Sequence, residues 1–421
     1  MTPRIDPTEA AIDLSQRADS HEQATISAAR DRIHIWLPDL HFKGGIQVYS
    51  TFFLRTLIEL FPDQRYTVIV KNDPPDSDAG PLSETVKFRR LGHWPSWLRT
   101  PVFAARIAFE ALKERPALIV CGHLNFSIAA HWLRRTLGIE YWTIAHGVEA
   151  WKIRNPGVQS GVRAADRVLS VSHFTAGRLV QEQRLDPQRI SILPNTFNPD
   201  DFQVRPKPRP LLTRYGLKPE TKVILTVARL DHSERYKGYD RIIRALPEIR
   251  QHVPSVHYLL VGKGTDRPRL ERLIRQHRVG DHVTLAGFIP DPELPAHYNL
   301  CDVFAMPSKK EGFGIVFLEA LASGKPVLAG NRDGATDALC NGELGVLVDP
   351  DDQAAITRAL IEMLQGTHSL EILRSPELLR RRVIEMFSLD QFAQRLKAIW
   401  EEHFFGVVPA STPPAETVTV T

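Results

Sequence analysis

The sequence predicts two α/β domains, each built on a doubly wound parallel sheet, and three observations lead there. The chain is 421 residues long, too long for one ordinary core and suited to two domains of roughly 170 to 200 residues. Short, β-branched apolar runs alternate with amphipathic stretches through both halves, the pattern of repeated βα units. Between Phe197 and Lys222 that pattern breaks into NPDDFQVRPKPRPLLTRYGLKPE, whose proline and charge read as a domain connection.

Taken in order, residues 1–30 are polar, carry several carboxylates and settle into no period, so a disordered tail is expected rather than a secretory signal. The N-terminal domain, 31–200, opens with a strand at 33–38 (IHIWLP) and a helix at 46–61. Further strands are expected at 66–71, 117–122, 141–147, 167–172 and 190–195. Each is short and largely apolar, as strands covered on both faces must be. After the linker, 201–221, the C-terminal domain at 222–387 repeats the plan. Its strands are expected at 222–230, 256–264, 282–289, 303–308, 326–330 and 345–350, and helices at 351–366 and 375–387 follow. A last helix, 388–405, is expected to pack back on the first domain, and 406–421 to form a second disordered tail. In such sheets ligands bind at the carboxyl ends of the strands.

Bulk composition narrows the class. With 43% hydrophobic and 24% charged residues, the chain is composed like a soluble globular enzyme and unlike a fibrous or disordered protein. Cys121, Cys301 and Cys340 lie far apart without CxxC spacing, so neither a disulfide framework nor a zinc cluster is expected, and a reducing cytoplasmic setting fits. The net charge of +4 is mildly basic and suits an anionic ligand or membrane surface. Nothing calls for a nucleic-acid partner. No apolar run approaches the roughly 18 to 20 residues of a membrane helix, so any membrane contact is expected from the surface.

The most specific segment is Glu311-Gly-Phe-Gly-Ile-Val-Phe-Leu-Glu319, which leaves a strand and enters a helix. Gly312 and Gly314 allow close backbone approach, and the N–H groups of Phe313, Gly314 and Ile315 at the helix start suit a phosphate. Glu319, about one and a half turns further in, is placed to accept hydrogen bonds from vicinal hydroxyls. Upstream, Arg229 and Lys237 follow the first strand of the second domain, ahead of a glycine turn at Gly262. Two cations close to a strand's carboxyl end suit an anionic ligand. In the first domain Gly44 and Gly45 follow the opening strand, and His146 ends a strand candidate before a glycine. No G-x-G-x-x-G follows an early strand, which sets a nicotinamide dehydrogenase aside.

These motifs, in this order and spacing, resemble glycosyltransferase family 4, a retaining group with the GT-B fold, over about residues 32 to 400. The resemblance implies two Rossmann-like domains with a cleft between them, the first serving the acceptor and the second a UDP- or GDP-sugar donor. It implies that Arg229 and Lys237 grip the donor diphosphate, Glu311 addresses the sugar and Glu319 the ribose. Gly262 and the 313–315 main chain complete the donor side, while His146 lies near the transferred sugar and Gly44-Gly45 shape the acceptor side. No metal or further cofactor is implied. Pro194-Asn195 resembles the family's P-N-G turn, with Thr196 in place of glycine, and Asp333-Gly-Ala-Thr-Asp337 stands where many members have G-G-x-x-E. The implied reaction moves a hexose-type sugar to a sugar or lipid-linked acceptor, as in surface polysaccharide or glycolipid synthesis. A nucleotide-sugar 2-epimerase and a catalytically silent nucleotide-sugar-binding module are the alternatives.

One stretch is not absorbed by this reading. In 87–115, arginines interleave with Trp94, Trp97, Phe103 and Phe109, which suits peripheral contact with an anionic membrane at the inner face of the cytoplasmic membrane. The other expectation for it is a helix that packs its aromatic side into the core and leaves its arginines in water.

Overall fold

A computed structural model describes residues 31–41, 44–77 and 86–406. The expected tails, 1–30 and 406–421, lie outside these residues apart from Gly406. By density of internal contacts the described residues divide between two compact units, one drawn from Met1–Ile144 and Ile153–Leu169, the other from Ala145–Lys152 and Ser170–Thr421.

The first half of the chain runs β1 (Arg32–Leu37), α1 (Gly45–Leu60), β2 (Arg65–Val70), β3 (Val86–Arg90), α2 (Ser96–Glu114), β4 (Leu118–Cys121), α3 (Ser127–Leu137) and β5 (Glu140–Ala145). It continues with α4 (Pro156–Ala164), β6 (Arg167–Ser170), α5 (His173–Gln183) and β7 (Ile190–Ile192). Its sheet has the order β3-β2-β1-β4-β5-β6-β7, and β1 lies parallel to both β2 and β4. The second half runs β8 (Lys222–Val227), α6 (Tyr239–His252), β9 (Val256–Val261), α7 (Arg267–Gln276), β10 (Val283–Gly287) and α8 (Leu294–Leu300). Then come β11 (Val303–Met306), α9 (Ile315–Ala322), β12 (Val327–Gly330), β13 (Val346–Val348), α10 (Gln353–Gln365), α11 (Pro376–Phe387) and α12 (Leu389–Phe405). Its sheet order, β10-β9-β8-β11-β12-β13, repeats that of the first six strands. In both sheets the winding direction reverses beside the first strand, between β1 and β4 and between β8 and β11. The predicted pair of doubly wound, Rossmann-like parallel sheets is therefore what the chain forms.

Of the strands that the sequence marks as apolar, β7 and β10, at the sheet edges, are half-buried throughout, whereas the inner ones β4, β9, β11 and β12 are buried at every residue. Their neighbours in the second core include Tyr239, Ile242 and Leu246 of α6 and Ile356 and Leu360 of α10. One strand escapes sequence reading. β3 reads VKFRR and is only partly buried beyond Val86, because it sits at the sheet edge. Its cations Lys87 and Arg89 point to carboxylates of α2 rather than to water. Among the described residues no helix is long and apolar enough to cross a membrane.

Candidate active site

Because the second sheet reverses between β8 and β11, the loops leaving those two strands part and open a crevice at their carboxyl ends. Arg229 follows β8 and Glu311 follows β11. Lys237 closes a short 3-10 segment, His232–Lys237, that returns from β8 toward α6. The main chain fixes this return, since the Lys309 N–H donates to the Tyr236 carbonyl at 2.9 Å. As a result Lys237 Nζ donates to Glu311 Oε2 at 2.8 Å, with both side chains mostly buried. Burial opposes the ammonium charge most strongly, yet the neighbours led by the Glu311 carboxylate together outweigh it and raise the Lys237 pKa above its usual value. Arg229 Nη2 lies 2.5 Å from Glu234 Oε1, and the other Glu234 oxygen lies 3.8 Å from Lys237 Nζ.

Around this cluster the chain packs main chain on main chain. A Cβ on Gly312 would fall 1.9 Å from the His146 carbonyl, and one on Gly334 would fall 2.0 Å from the Gly312 carbonyl. The segments at 146–147, 311–312 and 333–334 therefore touch with no side chain between them, all within the second unit. This brings His146, at the end of β5, beside the Glu311 loop, where its N–H donates to Glu149 Oε1 at 2.6 Å. Gly262 plays the same part below Arg229: a Cβ there would lie 1.8 Å from the Ala228 carbonyl.

Gly314 caps α9 in the left-handed region, at φ 95°; the Phe317 N–H donates back to the Gly314 carbonyl at 3.0 Å, and the N–H groups of Ile315 and Val316 before it have no partner within the helix. The Phe313 ring is buried edge-on against Phe387 at 5.4 Å. Within α9, Glu319 Oε2 accepts from the Tyr298 hydroxyl at 2.5 Å. Burial pushes the Glu319 pKa up to about 7, against the pull of that hydrogen bond. Gly44 and Gly45 belong to the other unit, where they begin α1. A Cβ on Gly44 meets only the end of the Gln47 side chain, and one on Gly45 meets nothing within 4 Å. Among the described residues no packing demands glycine at these two positions.

Three site residues were not found by reading the sequence. Glu234 bridges the two cations. Tyr298, fully buried between the rings of Phe202 and Phe304 at 5.8 and 5.7 Å, holds Glu319. Asp333 is buried, and its Oδ2 accepts from the Glu311 N–H and the Ser308 hydroxyl, both at 2.7 Å, while Oδ1 accepts from the Ala335 N–H at 3.0 Å. Burial raises its pKa to about 6 despite these bonds. The resemblance marked the segment from Asp333 to Asp337 but gave Asp333 no role; an acid directly before a glycine in a post-strand loop is the signal within it. In the same loop Asp337 accepts from the N–H groups of His173 and Phe174 at the start of α5. Thr196 lies outside the left-handed region that glycine would favour, and its hydroxyl donates to the Phe387 carbonyl at 2.8 Å.

Residues 43–201 match the family model described as Glycosyltransferase Family 4, and residues 212–376 match Glycosyl transferases group 1. A GDP-mannose-dependent alpha-(1-6)-phosphatidylinositol monomannoside mannosyltransferase of Mycolicibacterium smegmatis is 37% identical over 232 residues, 52% of this chain and 59% of that protein. A D-inositol 3-phosphate glycosyltransferase of Thermobispora bispora is 29% identical over 259 residues, 59% of each chain. The chain thus spans less than two thirds of the length of these relatives. Among solved structures, a sucrose-phosphate synthase from Thermosynechococcus elongatus shares the fold with a TM-score of 0.74 at 21% identity, covering 90% of this chain and all of that one. HepE of Anabaena, solved in complex with UDP, has a TM-score of 0.70 at 18% identity, covering 88% and 100%.

Proposed function

Because the chain belongs to the glycosyltransferase family 4 group, we propose that it moves a hexose-type sugar from a nucleotide-sugar donor to a sugar or lipid-linked acceptor, with retention at the anomeric carbon. The observation that carries this reading is the Lys237–Glu311 pair at the head of α9, with Glu319 one and a half turns along the same helix. A cation, a row of helix N–H groups and a hydroxyl-binding carboxylate stand in the order in which a sugar diphosphate nucleoside presents its parts.

In this reading Arg229 and Lys237 hold the diphosphate, together with the main chain of Phe313, Gly314 and Ile315. Gly262 keeps the loop beneath Arg229 in place. Glu319 accepts from the ribose hydroxyls, Glu311 and His146 orient the sugar, and Gly44 with Gly45 serve the acceptor. The acceptor oxygen bonds to the anomeric carbon as the bond from that carbon to the phosphate oxygen breaks on the same face. The departing diphosphate oxygen takes the acceptor's proton. The protein contributes positioning and fixed positive charge where negative charge grows, and no cofactor besides the donor is needed. The two curated relatives act on phosphatidylinositol mannoside and inositol phosphate acceptors by name, which makes GDP-mannose with a phosphoinositide-type acceptor the first combination to try. A 2-epimerase would instead convert the donor with no acceptor present, so product analysis of donor alone separates the two.

The test is thermal stabilisation by UDP, GDP, ADP and their common sugar conjugates, run beside the Arg229→Ala, Lys237→Ala double variant. Binding to the native state raises the melting temperature by mass action. One nucleotide should stabilise the wild type and not the variant. No stabilisation by any of them would move weight to a silent module.

The acceptor reading extends to a membrane. α2 buries Phe103, Ile107 and Ala111, and with them Glu110, but it exposes Trp97 and Phe109 by 75% and 57%. The neighbouring α3 also exposes Trp132. Beside α2 a cavity of about 460 Å³ is lined by Phe88, Arg89, Arg90, Trp94 and Arg106, among others. Exposed tryptophan next to arginine suits an anionic headgroup layer, which would place the protein at the inner face of the cytoplasmic membrane. Flotation with anionic but not neutral vesicles, reduced by Trp97→Ser with Phe109→Ser, is the expected result. Equal flotation with both vesicle types would refute it.

A further inference from the structure

Glu234 lies between the two cations assigned to the diphosphate, and no reading of the sequence gave it a role. We propose that Glu234 is a positioning residue of the donor site: its buried carboxylate draws Arg229 and Lys237 to one spot and holds the Arg229 guanidinium ready for the diphosphate. The proposal rests on the donor-site reading above and adds a residue to it.

The geometry is specific. The Glu234 side chain is 9% exposed, in a segment whose neighbours His232, Ser233 and Arg235 face solvent. The backbone turns it inward, because Glu234 breaks the 3-10 segment with φ −110° and ψ 16° while its N–H donates to the Asp231 carbonyl at 2.9 Å. Each carboxylate oxygen then serves a different cation, Oε1 at 2.5 Å from Arg229 Nη2 and Oε2 at 3.8 Å from Lys237 Nζ.

The two cations differ in how much they need this help. Lys237 is mostly buried and has a second partner in Glu311. Arg229 has a side chain 67% exposed, and among the described residues Glu234 is its only ion-pair partner. A long exposed arginine loses rotamer freedom when it clamps a ligand, and that cost falls if it is already held in place. The same carboxylate offsets the repulsion between two cations brought together before any anion has arrived. Glu234 does not touch the reacting atoms; it acts through Arg229.

The experiment is a double-variant cycle read by calorimetric binding of UDP and GDP, with donor KM and kcat measured in parallel. Glu234→Ala should weaken binding of the nucleoside diphosphate and raise donor KM about tenfold, nearly as much as Arg229→Ala. In the Arg229→Ala background it should cost less than twofold more, because the residue it positions is gone. Glu234→Gln keeps an oxygen for the guanidinium and should recover part of the loss, and it covers the case in which the alanine variant folds poorly. The proposal is overturned if Glu234→Ala or Glu234→Gln binds as tightly as wild type or tighter while Arg229→Ala is weakened, since the carboxylate would then be a competitor for the cation. It is also overturned if the effects of Glu234→Ala and Arg229→Ala simply multiply. If Arg229→Ala and Lys237→Ala each bind UDP and GDP like wild type, the donor-site reading itself fails and this proposal falls with it.

Discussion

Two charged networks in this chain use the same parts to different ends. In the first unit Glu114 accepts from His34 at 2.8 Å and from Thr67 at 2.8 Å, and Lys87 bonds to it as well. One turn away Glu110 accepts from Lys87 and Arg89 at 3.0 Å each and pairs with Arg106 at 2.6 Å. This network lies under α2, across the face of β1, β2 and β3, with the charge of each carboxylate matched by cations. In the second unit Arg229, Glu234, Lys237 and Glu311 form a comparable chain. It sits beyond the strand ends, where Gly312 and Gly334 clear side chains from the backbone and where α9 offers free N–H groups. Ion pairing alone therefore does not mark a site. What marks it is a network placed where the sheet opens, on loops whose main chains pack directly against one another.

The comparison can be broken by substitution. Lys237→Ala should lower kcat/KM by about a thousandfold, the scale for removing one preorganised charge from a transition state, and it should also cost stability because Glu311 loses a mostly buried partner. Glu114→Ala should cost stability alone. It should cost about 3 kcal/mol of stability in denaturant unfolding, because His34 and Lys87 lose a largely buried partner, with turnover per folded molecule near wild type. If Glu114→Ala abolished turnover at full stability, the division into structural and functional networks would be wrong.

Gly312→Ala tests the backbone stack. The added methyl meets the His146 carbonyl, so about 1 to 3 kcal/mol of overpacking is expected, together with a loss of donor binding that an alanine at the open position of Gly45 should not cause.

The pH responses of Glu114, in the first network, and of Glu319, in α9 beside the second, should run in opposite directions. Hydrogen bonding to His34, with Lys87 and Thr67 beside it, holds Glu114 well below its ordinary 4.5. Its stabilisation is thus present above that value and lost as pH falls below it. Glu319 has its pKa raised by burial from 4.5 to about 7. Its ionisation therefore costs stability as pH climbs from about 4.5 towards 7, and only above 7 is the carboxylate ionised to accept two hydroxyls. Donor KM should fall between pH 6 and pH 8, and Glu319→Gln should flatten that slope. The smallest effect is expected from Tyr298→Phe, which removes one hydrogen bond worth about 1 kcal/mol and should raise donor KM a few-fold with kcat unchanged.

How much of this was legible in advance differs by element. β4, β9, β11 and β12 were plain because a strand covered on both faces must be apolar throughout. β3 was not, because an edge strand whose cations meet the carboxylates of α2 reads as a solvated basic stretch. The seating of α2 was left open for another reason: aromatic residues at helical spacing do not say which of them meet the core, and Phe103 does while Trp97 and Phe109 stay exposed. Composition and periodicity determined that the chain would form two doubly wound sheets. Motif spacing along one segment put Glu311 and Glu319 at the two ends of a helix start, since that relation is local. The pairing of Lys237 with Glu311, 74 positions apart, the seating of Glu234 between two cations, the buried Tyr298 beneath Glu319 and the contact of Gly312 with His146 were decided by tertiary structure. Each depends on which loops leave neighbouring strands, and strand order is set by packing of the whole sheet rather than by any stretch of sequence.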